Sequence, residues 1–319
     1  MRIVTLTLNP ALDKSTSVAR FIPEQKLRCE PMRIDAGGGG INVSKGISRL
    51  GGKSLAVFPA GGINGQLLRA LVEKEGIETA TIETKAPTRE NFSVTEADSN
   101  VQYRFTLPGE PLSEAEIEAC LSAAWAVNPE FLVVSGSLPP GMSEDYFGRI
   151  ASAARERRCK LILDTSGPAL EAATHIGVYM LKPNLAELST LAGVAELEIN
   201  HVDDAAQKII EEGKCEVVVV SLGAQGALLV TKSGFEHIPA PMVKKKSTVG
   251  AGDSMVSGIV WALGEDQPLK VAVQTGVACG SAATLNAGTE LFHQEDVIRL
   301  LKWIRQYGDR YRISDFSNE

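Results

Sequence analysis

From Leu112 onward the chain alternates short, nearly uninterrupted apolar runs with amphipathic stretches. Phe131 to Ser135, Lys160 to Asp164, Val178 to Leu181 and Glu216 to Ser221 each stand between segments of helical spacing. A strand that is apolar at almost every position must be covered on both faces, and a parallel sheet with helices above and below supplies that cover. The expected fold class is therefore α/β, a mostly parallel, doubly wound sheet. In such sheets ligands sit outside the carboxyl ends of the strands. The residues there are Ser135-Gly136-Ser137, Asp164-Thr165-Ser166, Lys182-Pro183-Asn184 and Ser221-Leu222-Gly223, nearly all polar or small.

The N-terminal third reads differently. Arg2 to Leu8 is a strand that ends at Asn9-Pro10, which leaves Asp13 on a loop. Lys14 to Arg20 and Leu27 to Asp35 show short alternation broken by Pro23, and Arg89 to Thr95 with Val101 to Thr106 makes a hairpin around Asp98-Ser99-Asn100. Together these pieces, about 14–35 and 87–107, are expected to form a small antiparallel sheet, a lid on one domain that spans residues 1–319. Its apolar face needs a ligand or a second subunit to cover it. Ser54 to Ala60 and Ala80 to Glu83 read as strands around a helix from Gln66 to Glu75. Gly223-Ala224-Gln225-Gly226 and Ala227 to Thr231 make a tight turn between strands, and helices follow from Asp253, from Leu269 to Leu285 and from Gln294 to Gln306. The polar tail, Tyr307 to Glu319, has no assigned role.

Two glycine-rich stretches open helices. Ser247-Thr248-Val249-Gly250-Ala251-Gly252-Asp253-Ser254 presents unpaired amides and partial positive charge at a helix start, where a phosphate can rest beside the Asp253 carboxylate. An ordinary loop with an Asp near its N-cap has the same local sequence. Gly37-Gly38-Gly39-Gly40-Ile41-Asn42 is harder to justify structurally, because each glycine adds backbone entropy to the unfolded chain, so close approach of a ligand is the expected reason. Asn42 offers a donor and an acceptor to a hydroxyl-rich ligand. The run fails as a dinucleotide fingerprint, because the third glycine falls on Asn42. Gly52-Lys53-Ser54 fails as a P-loop, because Ile47 occupies the first glycine position and a helix precedes it.

Composition removes several function classes. A formal net charge of −7 disfavours a nucleic-acid partner, and Lys244-Lys245-Lys246 is the one short basic run. Five scattered cysteines without a Cys-x-x-Cys pair and four isolated histidines argue against a disulfide framework or a zinc site and suit a reducing cytoplasm. No apolar run reaches membrane-spanning length, and the N-terminus alternates as a strand does, unlike a signal peptide.

With Gly37 to Ser44, Lys182-Pro183-Asn184-x-x-Glu187 and Ser247 to Ser254 in this order, the chain resembles the ribokinase-like sugar kinases. Thr88-Arg89-Glu90-Asn91, Gln102-Tyr103-Arg104-Phe105 and Ser135 to Gly141 resemble the branch of minor bacterial 6-phosphofructokinases, as does Ser247-Thr248-Val249 where many members carry Asp-Thr. The resemblance runs from about Ile3 to Ile304. It implies phosphorylation of fructose 6-phosphate by ATP, with 1-phosphofructokinase or tagatose-6-phosphate kinase as neighbouring activities and a non-catalytic sugar-phosphate or nucleotide sensor as a different class. Asp253 is implied as general base, and Gly250, Ala251 and Gly252 as an anion hole. Asp13, Lys26, Gly38, Gly39, Asn42, Arg89 and Ser137 are implied to hold the sugar phosphate, Arg89 at its phosphate and Lys26 reaching across a subunit contact. Lys182, Asn184, Ser221, Gly223, Gly226 and Thr248 are implied for ATP, and Asn184 and Glu187 for the water shell of Mg²⁺. Carbonyls around Val249, Ala283, Asn286 and Gly288 are implied for a monovalent cation such as K⁺. A homodimer through the lid is the implied assembly. A carboxylate at a helix N-terminus should have its charged form stabilised, which makes Asp253 a weak base, and phosphoryl transfer tolerates that because positioning dominates.

Overall fold

The computed structural model describes residues 2–143, 145–286, 288 and 290–308, with the backbone alone at 168–169; of the tail, residues 309–319 lie outside it. Its strands are β1 (Ile3–Leu6), β2 (Ala11–Val18), β3 (Arg33–Gly37), β4 (Leu55–Gly61), β5 (Glu78–Thr84), β6 (Arg89–Glu96), β7 (Val101–Thr106), β8 (Phe131–Ser135), β9 (Lys160–Asp164), β10 (Val178–Leu181), β11 (Cys215–Ser221), β12 (Ala227–Thr231) and β13 (Gly234–Ile238). Its helices are α1 (Gly39–Arg49), α2 (Gly62–Lys74), α3 (Glu114–Trp125), α4 (Asp145–Glu156), α5 (Pro168–Thr174), α6 (Leu185–Leu191), α7 (Val202–Glu211), α8 (Ala251–Gly264), α9 (Leu269–Ala283) and α10 (Gln294–Tyr307).

Nine strands form the main sheet in the order β13-β12-β11-β10-β9-β8-β1-β4-β5. All neighbours from β5 to β11 run parallel, and β12 and β13 close one edge as an antiparallel meander. The apolar runs work as the two-residue period demands. In β8, Leu132 and Val134 enter one core and Phe131 and Val133 the other; in β11, Val218 and Val220 face Val217 and Val219 across the sheet. One core lies under α3, α4 and α7, and the other under α1, α8, α9 and α10. Within the second, α8 and α9 touch closely because Gly258 and Gly276 carry no side chain: a Cβ on Gly258 would sit 2.9 Å from the Gly276 Cα.

The second sheet has four strands in the order β3-β2-β6-β7. β2–β3 and β6–β7 are antiparallel, and the two pairs join along a parallel β2–β6 ladder from Ala11↔Arg89 to Val18↔Glu96. Asp13 therefore lies within a strand, not on a loop, and residues 19–32 are irregular where alternation had suggested more strand. Val101, Tyr103 and Phe105 on β7 and Ile34 on β3 remain exposed. Ala227–Thr231, expected as part of a turn, is itself a strand, and Gly223–Gln225 alone makes the turn before it. No described helix is long and apolar enough to cross a membrane.

Candidate active site

The carboxyl ends of the parallel strands and the N-termini of α1 and α8 converge. After β1, Thr7 turns its hydroxyl to the start of α1 and accepts the Ile41 amide at 3.0 Å, a cap that the glycines of this helix cannot supply. These glycines have a packing reason of their own, beside the expected approach of a ligand. A Cβ on Gly37 would lie 2.2 Å from Asp13 Oδ2, on Gly39 2.1 Å from Ser135 Oγ, and on Gly40 2.6 Å from Thr7 Oγ1. Gly38 has φ 121°, a left-handed conformation that a side chain would strain. Asp13, Ser135 and Thr7 thus occupy the places where Cβ atoms would stand.

On α1, Asn42 Nδ2 donates to Asp253 Oδ2 at 2.9 Å and ties the two helix starts together. Gly250 caps α8 with φ 73°. Among the described residues the amides of Gly250, Gly252 and Asp253 have no backbone acceptor, whereas the Ala251 amide turns back to the Thr248 carbonyl at 3.3 Å. Of the three expected anion-hole amides, Ala251 is thus partly spent, and Asp253 joins the open set. The carboxyl of Asp253 is pushed up to about 6, first by loss of water contact and then by Asp164, against the Asn42 hydrogen bond and Lys182. The expected weak base is therefore a stronger one, because desolvation and a second carboxylate outweigh the helix dipole.

Asp164, at the end of β9, holds Lys182 Nζ at 3.0 Å; Lys182 is buried and Asp164 partly so. Burial alone would lower the Lys182 ammonium, yet Asp164, Glu187 and Asp253 leave it raised and charged. Lys182 also lies beside the α8 turn, 3.6 Å from where a Gly252 Cβ would be.

On one side of this turn a cavity of about 570 Å³ opens, lined by Ser221, Gly223, Gly226 and Thr248 among the residues expected for ATP and by Gly252 of the expected anion hole. Much of its remaining wall, Ala240 to Val243 with Met255 and Val277, is apolar and escapes sequence reading because it carries no motif; Lys245, Ser281 and Thr284 add polar groups. A flat apolar wall beside a phosphate-sized turn suits a nucleotide. Gly226 is required by packing, because at φ 96° a Cβ would strike the Ile238 carbonyl at 2.1 Å.

On the other side, Asn91 Nδ2 donates to Asp13 Oδ1 at 2.8 Å. Burial raises the Asp13 carboxyl, while Asn91, Lys45 and Arg89 oppose the rise. Arg89 donates from Nη2 to the Asn9 carbonyl at 3.0 Å and from Nη1 to the Leu107 carbonyl at 2.6 Å and Asn91 Oδ1 at 3.4 Å, and among the described residues it makes no ion pair with a carboxylate. Asn9 in turn reaches Ser137 Oγ at 3.3 Å, which brings Arg89 and Ser137 around one residue that the sequence did not single out. Lys26 stands exposed on the irregular stretch between β2 and β3 and makes no hydrogen bond or ion pair among the described residues.

Asn184 and Glu187 form a capping box on α6: Asn184 Oδ1 accepts the Glu187 amide at 2.9 Å, and Glu187 Oε2 accepts the Asn184 amide at 2.8 Å. Glu187 Oε1 stays open, and a hard oxygen of that kind suits the water shell of Mg²⁺. Among the described residues, no cluster of three or more His, Cys, Asp or Glu could ligate a metal directly. Near α8, Gly288 O accepts Ser247 Oγ at 3.0 Å and Ala283 O accepts the Asn286 amide at 3.1 Å; each carbonyl keeps a second lone pair for a cation.

The sequence is 44% identical over 306 residues to ATP-dependent 6-phosphofructokinase isozyme 2 of Escherichia coli, covering 95% of this chain and 99% of that protein. Three solved structures of phosphofructokinase-2 from Escherichia coli share the fold. The complex with potassium has a TM-score of 0.91 at 43% identity, covering 95% of this chain and 99% of that one. The complex with fructose-6-phosphate has 0.90 at 42%, with the same coverage. The tetrameric inhibited form has 0.89 at 42%, again with the same coverage. Residues 7–295 match the pfkB family of carbohydrate kinases. With that match laid over the two helix starts and their shared Asp253, the chain belongs to the pfkB carbohydrate kinase family.

Proposed function

We propose that this chain is an ATP-dependent 6-phosphofructokinase, which transfers the γ-phosphoryl group of ATP to the 1-hydroxyl of fructose 6-phosphate and releases ADP and fructose 1,6-bisphosphate. The observation that carries the reading is the position of Asp253. Its carboxylate is bonded to Asn42 on the lid side, and its neighbour Gly252 lines the apolar cavity on the other, so one residue stands between an acceptor site and a nucleotide site.

In this reading the sugar is held by Asp13, Asn42 and the backbone at Gly38 and Gly39, and its phosphate by Arg89 and Ser137. Carboxylates accept from hydroxyls, and the guanidinium fork matches phosphate geometry. Lys26 joins them across a dimer formed through the lid, whose exposed Val101, Tyr103 and Phe105 would be covered by it. ATP lies in the cavity, its base against the 240–243 wall and its phosphates toward Thr248 and the α8 turn. Lys182, Asn184, Ser221, Gly223 and Gly226 complete that site.

Asp253 takes the proton of the attacking hydroxyl as the O–P bond forms, and the bond from the γ-phosphorus to the leaving ADP oxygen breaks. The amides of Gly250, Gly252 and Asp253, with Ala251 beside them, neutralise charge on the moving phosphoryl oxygens. Glu187 and Asn184 would hold Mg²⁺ through its water shell, and the metal would add to the neutralisation of the phosphates. The Val249, Ala283, Asn286 and Gly288 carbonyls would hold a monovalent cation. A single domain with its lid and a cytoplasmic location complete the reading.

A coupled spectrophotometric assay with fructose 6-phosphate, fructose 1-phosphate and tagatose 6-phosphate tests it. Preference for fructose 6-phosphate is expected, and a clear preference for either other sugar overturns the acceptor assignment. Asp253→Asn should abolish turnover while ATP binding survives; near-normal turnover removes Asp253 from the chemistry.

A further inference from the structure

Two lysines are buried among the described residues, Lys182 and Lys45. Lys182 belongs to the nucleotide side. Lys45 takes no part in the chemistry above, although its α1 backbone follows Asn42 by less than one turn. Its Nζ donates to the Ala36 carbonyl at 2.6 Å and lies 3.6 Å from Glu75 Oε1, at the end of α2. Burial works to lower its pKa, against the pull of Glu75, Asp35 and Asp13 and alongside Arg49. A methionine of similar length would fill the same space without the desolvation cost of an ammonium, so packing alone does not account for a lysine here.

The bonded partner shows what the charge does. Ala36 is the penultimate residue of β3 and pairs with Leu12, while its neighbours Asp35 and Gly37 pair with Asp13 and Ala11. Gly37 is the residue whose bare Cα leaves room for the Asp13 carboxylate. A hydrogen bond from α1 to the carbonyl just before Gly37 therefore fixes where the lid strand meets the helix, and with it where Asp13 points. Glu75 steadies the ammonium from α2, so three elements are pinned at one atom.

We propose that Lys45 is a positioning residue for the acceptor sugar: it ties the base of the lid to α1 and so sets the Asp13 carboxylate in place. This rests on Asp13 serving the sugar site. The test is steady-state kinetics on Lys45→Met, Lys45→Arg and Asp13→Asn, with thermal melts of each. In Lys45→Met the KM for fructose 6-phosphate should rise about tenfold while the KM for ATP stays within about twofold, as loss of one charge-assisted hydrogen bond implies. Lys45→Arg, which keeps charge and donors, should recover most of the loss. If Lys45→Met does not fold, Lys45→Gln carries the same test, since it is neutral and still able to hydrogen-bond. An unchanged sugar KM in a folded neutral variant overturns the inference. So does a parallel rise in both KM values that Arg does not rescue, which is the signature of general loosening. If Asp13→Asn itself leaves the sugar KM unchanged, the sugar-site reading of Asp13 has failed; if Asp13→Asn raises it and Lys45→Met does not, only the role of Lys45 has failed.

Discussion

Asp253→Asn should stabilise the protein while it destroys the activity. The carboxyl is pushed from an ordinary 3.8 up to about 6 in the folded chain, which means the native state holds its charged form at a disadvantage. At 1.36 kcal/mol per pKa unit the penalty at neutral pH is about 3 kcal/mol. Asparagine keeps an oxygen for Asn42 but loses the attraction of Lys182, so the net gain should be about 1–3 kcal/mol. For a chain of this length that is about 2–6 °C in Tm. The sign follows from proton binding. Between pH 3.8 and about 6 the folded chain binds more protons at this site than the unfolded one, so stability falls as pH rises through that window. The penalty is fully present above pH 7, about half remains at pH 5, and it vanishes below the unfolded value. Thermal melts of both proteins at pH 8 and pH 5 read this directly: the variant should melt higher at pH 8, and the gap should shrink by about half at pH 5. A wild type at least as stable as the variant at pH 8, or a gap indifferent to pH, would refute the account of how Asp253 is tuned.

The pH profile of kcat/KM should show an acid limb bending near pH 6, as the base form of Asp253 is titrated. Asn42→Ala removes a bond that favours the charged form and should move that bend upward; a downward move contradicts the geometry. Gly37→Ala pushes a Cβ to within 2.2 Å of Asp13 Oδ2, so sugar affinity should fall, and urea unfolding should show a loss of about 1–3 kcal/mol. Asn184→Ala breaks the α6 capping box and should cost about 1 kcal/mol in the same unfolding experiment. Glu187→Gln can keep the box, so a drop in kcat relieved by added Mg²⁺ would separate a role in the metal's water shell from the cap; no drop at low Mg²⁺ leaves Glu187 a cap alone.

The main sheet was legible because its signal is local: a strand buried on both faces must be apolar at both parities, as Phe131 to Val134 and Val217 to Val220 are. β13 was not, since Gly234–Ile238 is a half-exposed edge strand with Phe235 turned outward, and no alternation marks it. At the site, residue types that carry chemistry at fixed spacing were found, including Asp253, Asn42 and the glycine turns. Asn9, Thr7, Asn91 and Lys45 were not, because each acts on a partner far along the chain through a single hydrogen bond. For the glycines of 37–40, the packing reason was the part that sequence did not show. Their entropy cost is visible in sequence, but the atoms that occupy the missing Cβ positions belong to Thr7, Asp13 and Ser135.

The same division explains why the basicity of Asp253 could not be read in advance. The helix dipole is a property of α8 alone and favours a carboxylate. What opposes it is tertiary: the loss of water contact, and Asp164, which arrives from the end of β9 already paired with Lys182. That pairing is itself consequential. An unpaired Asp164 would press on Asp253 harder, and an unpaired Lys182 would hold Asp253 fully ionised as a feeble base. Joined at 3.0 Å, each tempers the other, and desolvation followed by Asp164 outweighs Asn42 and Lys182, which leaves the carboxyl near 6, able both to be ionised at neutral pH and to accept a proton during transfer. The strength of the proposed base is therefore set by burial together with the ion pair beside it, and substitutions at Asp164 or Lys182 should alter the acid limb even where they leave ligand affinity intact.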